Sequence, residues 1–266
     1  MTHDRLDLTG YRLDADETFA DAELDRARWF PYFLPHWSTL EQSAAHAETG
    51  DGLRLVIDAD TECWAPELGD GSRTSHLQTG HFAGPAGSGV GQHRFRDGLV
   101  VRTEAPARVL WELGHGVVEV RAKAIRHPDA MVAFWPIGVE RDPRDSGELC
   151  VFEIFGSELD DTGGLVGVGV KAHHDNRLVD DFEKVRIDGD LTAFHDYAME
   201  WLPDRIRFFV DGRLVKTSEQ SIGYPMQLML DVFESVPTDG PRDLGALPHV
   251  FEVAHVRSWV RDPEGV

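Results

Sequence analysis

Glu148 and Glu153 flank the run Leu149-Cys150-Val151-Phe152, and these two carboxylates are the side chains best placed to do chemistry. On a regular strand side chains alternate faces, so Glu148 and Cys150 share one face and Glu153 points the other way. A one-residue β-bulge within 151–153 returns Glu153 to the side of Glu148. Two carboxylates brought together in an aromatic cleft can cleave a glycosidic bond with retention. One attacks the anomeric carbon and the other protonates the leaving oxygen, from about 5–5.5 Å apart. Without the bulge the pair are solvated strand carboxylates. Rings precede them in Ala133-Phe134-Trp135-Pro136. Trp135 and Phe134 each read as a sugar platform or as core.

The elements that must hold the pair are strands. Residues 53–59 and 117–124 alternate apolar and polar, as half-buried strands do. Residues 131–137 are apolar throughout and suit burial on both faces. Residues 165–172 alternate Val with Gly, and glycines on one face permit close approach by a ligand or another backbone. Further strands are expected at 98–102, 198–201, 206–210, 213–216, 226–234 and 251–260, with a hairpin turn at Asp211-Gly212. Residues 21–28 read as a short turn or helix capped by Asp21. Long loops are expected at 61–92, 140–146 and 237–248, bordering the cleft. Many short strands separated by turn residues predict a sandwich or jelly roll.

Several segments, in order, resemble glycoside hydrolase family 16, the laminarinase-type β-glucanases and their relatives. Residues 148–153 resemble its Glu-x-Asp-x-x-Glu signature. Gly116-Val117-Val118-Glu119-Val120-Arg121-Ala122-Lys123 resembles the strand before it. Phe194-His195-Asp196-Tyr197-Ala198-Met199-Glu200-Trp201 resembles its His-x-Tyr-x-x-Glu-Trp strand. Residues 203–212 resemble the following hairpin, and 251–260 the closing strand. The resemblance spans roughly residues 10–261.

It implies an all-β antiparallel sandwich of jelly-roll, concanavalin A-like type, with a cleft on its concave face. Residues 1–266 form one domain. Glu148 becomes the nucleophile and Glu153 the general acid/base. His173 or its neighbour His174 contacts substrate, one of the two facing the cleft by alternation, and His173 is the one assigned. Trp201 and Phe233 occupy positions that can line the concave sheet or pack in the core. The aromatic run 29–37 belongs to the cleft edge and the core. The family's calcium-binding Asp is replaced by Ala254, so no metal and no cofactor is expected.

One departure bears on chemistry. Where the signature has its central Asp, beside the nucleophile, this chain has Cys150. A neutral thiol carries no comparable charge. Cys150 reads as a small buried hydrophobe or as the mark of a retuned, substrate-facing site.

Composition bounds the partners. Twenty-six basic against 47 acidic residues give a net charge of −21, which argues against nucleic acid and polyanions. No stretch is long and apolar enough to span a membrane, and two cysteines make no disulfide framework. The beginning of the chain carries no signal-peptide pattern, so a cytoplasmic location is expected, or secretion if the chain is a processed form. The expected function is a retaining β-glycosidase or transglycosylase on β-linked glucan or galactan. Its rivals are an enzyme of this fold using Glu acid/base chemistry on a small metabolite, and a non-catalytic glycan-binding module.

Overall fold

Period-two burial sorts the strands into two sheets with one apolar layer between them. On one sheet, Val118, Val120 and Ala122 of Gly116–Ala122 lie beside Tyr197, Met199 and Trp201 of His195–Trp201 and Phe208 and Val210 of Ile206–Val210 in one cluster. From the opposite sheet come Val132 and Phe134, then Leu149, Val151, Phe152 and Ile154, then Val166, Val168 and Val170, with Leu230 and Val232. Phe152 lies 4.5 Å from the Tyr197 ring across this layer. Truncating a ring so placed costs about 3–5 kcal/mol.

The computed structural model describes residues 4–238 and 240–263. Among these, an eight-stranded antiparallel sheet runs from Arg213–Ser218 through Ile206–Val210, His195–Trp201, Gly116–Ala122, His249–Arg261 and Leu53–Ile57 to His46–Glu48. Tyr11–Glu17 pairs along the far half of His249–Arg261. The second sheet orders Arg73–Gln78, Met229–Glu234, Ala130–Phe134, Glu148–Phe155, Gly163–Lys171 and Asp181–Asp188, with short strands at its margin. The chain is therefore an antiparallel β-sandwich. A second apolar cluster lies on the outer face of this second sheet. There Phe33, Trp37, Trp64, Leu99 and Val101 from the loops cover Ala133, Trp135, Ile137 and Met229.

Asp211 and Gly212 take φ of 48° and 70° in a two-residue turn joining Val210 to its partner Arg213, as the hairpin signal requires. Three expectations need correction. Residues 21–28 form turns and no helix, because the Asp25 side chain accepts the N–H of Ala27 and closes a local turn instead. Residues 98–102 form no strand; the Val101 and Arg102 N–H groups bond to Ser88 and His36 carbonyls in an irregular loop. The stretch 61–92 is no continuous loop, since Arg73–Gln78 pairs along the whole of Met229–Glu234. That strand reads as polar because Thr74, Ser75 and Gln78 spend their side chains on backbone partners.

Candidate active site

The Glu148–Phe155 strand carries one residue more than its neighbour. Glu148, Cys150 and Glu153 stand opposite Lys171, Gly169 and Gly167, so three steps on one strand match two on the other between Cys150 and Glu153. The surplus residue is visible in the packing, where consecutive Val151 and Phe152 both enter the inter-sheet core. The expected bulge therefore forms within 151–153 and turns Glu153 to the face of Glu148.

Gly167 and Gly169 make the approach possible. A Cβ on Gly169, at φ 137°, would meet the Asp181 carbonyl at 2.1 Å, and one on Gly167 would meet the Phe182 ring at 2.5 Å. The space that the alternating glycines leave is filled by the neighbouring strand and by Phe182, rather than left for a ligand.

Lys171 sits between the two carboxylates. Its Nζ is 3.1 Å from Glu148 Oε1 and 3.1 Å from Glu153 Oε2, and 4.7 Å from the Phe182 ring centre. Those two oxygens are thus at most twice that N–O distance apart.

Glu148 is buried. Burial alone would push its carboxyl up, but a hydrogen bond with His173 Nε2 at 2.7 Å and the charges of Lys171, His173 and His93 outweigh it and hold it down to about 2. Burial opposes the ammonium of Lys171, yet the negative charges of Glu148 and Glu153 carry its pKa upward overall. Burial pushes the Cys150 thiol well up, and its Sγ lies 3.6 Å from the Gly167 carbonyl. Cys150 is therefore a neutral thiol. At 1% exposure it lies beneath the site, which corrects its assignment as a substrate contact.

Two more assignments are corrected by placement. Phe134 points into the inter-sheet core, one residue out of phase with the cleft-facing Ala133 and Trp135. Trp201 lies on the other sheet, its Nε1 donating to Ser221 Oγ and the Ile222 carbonyl. Trp135 and Phe233 are on the outer face. Trp135 Nε1 donates to Asp231 Oδ2 at 2.6 Å, and Phe233 packs edge-on against Phe33 at 5.0 Å. His173 touches Glu148 directly, whereas His174 turns away to the Arg94 carbonyl.

Besides Lys171, four residues outside the sequence reading join the site. His93, on a loop, stands 5.3 Å from the Trp135 ring and 5.2 Å from the His173 ring, and burial lowers it to about 4. Glu140 accepts the His93 N–H; burial raises it to about 7 against that hydrogen bond. Asp231 accepts from His76 Nδ1 at 3.0 Å as well as from Trp135. The pairings His76, Asp231, Ala133, Glu153, Gly167 form one row across five strands, with Ala133 leaving space between the two acids. Backbone strain converges here too. His93, Glu140 and His173 are three of the six non-glycine residues with positive φ among those described, and strain of this kind clusters at functional sites.

His93, Glu148 and His173 bring ligand-type atoms within 4.8 Å of one another, a grouping that can hold a metal ion. The Lys171 ammonium beside Glu148 Oε1 already supplies positive charge there and works against a second cation.

Residues 104–240, more than half of the chain, match the model of the glycosyl hydrolases family 16. The chain belongs to this family. It is 34% identical over 82 residues to a β-glucanase of Rhodothermus marinus, covering 31% of this chain and 25% of that enzyme. It is similar in structure to the GlcNAcα1-4Gal-releasing endo-β-galactosidase from Clostridium perfringens, with a TM-score of 0.80 and 26% identity over 95% of this chain and 62% of that one. It shares its fold with a laminarinase from Flavobacterium sp. UMI-01, at a TM-score of 0.63 and 22% identity over 94% of this chain and all of that one. The chain thus spans a quarter of the β-glucanase and under two thirds of the endo-β-galactosidase. As a family 16 member it is glycoside hydrolase-like, and its Cys150 stands where the resemblance expects Asp.

Proposed function

We propose that this chain is a retaining β-glycosidase or transglycosylase for β-linked galactan or glucan. The observation that carries this reading is the bulge that sets Glu148 and Glu153 on one face, about a single ammonium. Glu148, ionised and buried, attacks the anomeric carbon as Glu153 gives its proton to the leaving oxygen. A glycosyl ester on Glu148 results. Glu153, now a carboxylate, takes a proton from water or an acceptor hydroxyl, whose oxygen displaces Glu148 and closes the cycle. Trp135 and His173 flank the site of attack, and the loop bearing His93 covers it.

A galactoside is the first substrate to try, because the structural relative at 26% identity is an endo-β-galactosidase. An enzyme for a small apolar metabolite would want an enclosed apolar pocket at the carboxylate pair. The apolar hollow of about 320 Å³ between Trp29, Phe30, Tyr32 and Pro106 contains neither Glu148 nor Glu153.

Oligosaccharide release from a panel of β-galactans and β-glucans tests the proposal. Wild type is expected to turn over at least one polymer, with Glu148→Gln and Glu153→Gln slower by about 10²–10⁴-fold or more. Saturable binding without turnover, unaffected by either substitution, would favour a binding module instead.

A further inference from the structure

The carboxylate pair is governed by a cation that the signature does not contain. Lys171 pairs across the strands with Glu148, and its side chain reaches along the outer face to Glu153. The ammonium packs on an aromatic face. Phe182 lies 4.7 Å from it, and that ring is seated against Gly167.

We propose that Lys171 is a positioning residue for Glu148 and Glu153, setting their ionisation and spacing with positive charge in a site where Cys150 stands in place of the signature's central Asp. This rests on the reading of the pair as nucleophile and acid/base.

The surroundings assign the role to Lys171. From the catalytic strand it faces Glu148, Glu153 and the neutral thiol of Cys150. His173, in the turn just after the strand of Lys171, binds the other oxygen of Glu148, and His93 approaches from the loop. Asp231 lies beyond Ala133 and is committed to His76 and Trp135. On the next strand, Lys184 is bound to Glu158, while Asp181 and Glu183 bind Lys216. Glu140 is held by the His93 N–H. Among the described residues, Lys171 is thus the single ion-pair partner of Glu153, and it shares Glu148 only with His173. Two carboxyl groups held by one ammonium keep a fixed separation. Glu148 held down to about 2 is ionised and ready to attack across the working range.

The test replaces the charge and keeps the bulk. Lys171→Met matches the length of the stem, Lys171→Gln keeps a donor without charge, and Lys171→Arg keeps the charge. The readout is the Glu148 titration midpoint, followed by NMR on protein labelled with ¹³C in its Glu carboxyls and assigned against Glu148→Gln. Thermal unfolding verifies each fold. Lys171→Met and Lys171→Gln should each raise the midpoint by about 1–3 units, and Lys171→Arg should leave it near wild type. The acidic limb of kcat/KM should move up by the same amount. An unmoved midpoint in either neutral variant, or an equal rise in Lys171→Arg, would overturn the proposal. The NMR readout is independent of turnover. A shifted midpoint in a protein that cleaves no glycan would keep Lys171 in its role and remove the glycosidase reading.

Discussion

Glu148 is ionised in a buried place because its two oxygens face different donors, Lys171 at Oε1 and His173 at Oε2. Its depressed pKa gives a definite sign to acid stability. The folded carboxyl titrates at about 2 and the ordinary one at 4.5, so its contribution is fully present above 4.5 and is lost as pH falls toward 2. Glu148→Gln should therefore flatten the fall of Tm between these pH values, measured by thermal scans at half-unit steps. His173→Ala removes a hydrogen bond to a charged group, worth about 1.5–3 kcal/mol, and should move the acidic limb of kcat/KM up by about one unit or more. Glu140 has the opposite sign. Raised to about 7, it holds its proton where the unfolded chain has lost it, so stability falls as pH rises from 4.5 to 7. Glu140→Gln keeps an acceptor for the His93 N–H, and should exceed wild type in Tm by about 2–4 °C at pH 8 with no gain at pH 4.

The bulged strand is the element on which the site depends. A shift of one residue would turn Glu153 into the core, since strand faces alternate. Its neighbour is equally constrained. Gly169→Ala places a Cβ against the Asp181 carbonyl at a φ that L residues avoid, and should destabilise by about 2 kcal/mol or more in urea unfolding. Gly167→Ala displaces a side chain, Phe182, and should cost less stability while disturbing the ammonium above it. Glu148 and Glu153 pose the bulge as a condition, since only an extra residue within 151–153 brings both to one face, and the register against the neighbouring strand is what shows that it forms. Lys171 was legible in principle, two positions beyond Gly169 on the cleft face, but only once the register against Glu148 was known. His93 and Glu140 left no local signal; long-range contacts across 47 positions place them. Phe134 and Trp201 were legible as rings on strands, and a strand's phase decides which face a ring takes. The polar Arg73–Gln78 strand escaped notice because its buried side chains satisfy the backbone rather than a core.

At the scale of the molecule, two sheets with an apolar layer between them fix the outer face, and family 16 membership agrees with that architecture. A net charge of −21 surrounds a site whose own electrostatics are set by Lys171, His173 and His93. Local geometry and not overall charge therefore governs the carboxylate pair. In the proposed mechanism Glu148 forms a covalent bond to sugar with Glu153 as its acid/base. This step is tested most directly by mass spectrometry of Glu153→Gln after reaction with an aryl β-galactoside oligosaccharide. An aryl leaving group departs without an acid, while release of the intermediate still requires the base. A glycosyl adduct should accumulate on the peptide containing Glu148. An adduct on another residue, or unhindered turnover with none, would contradict the mechanism.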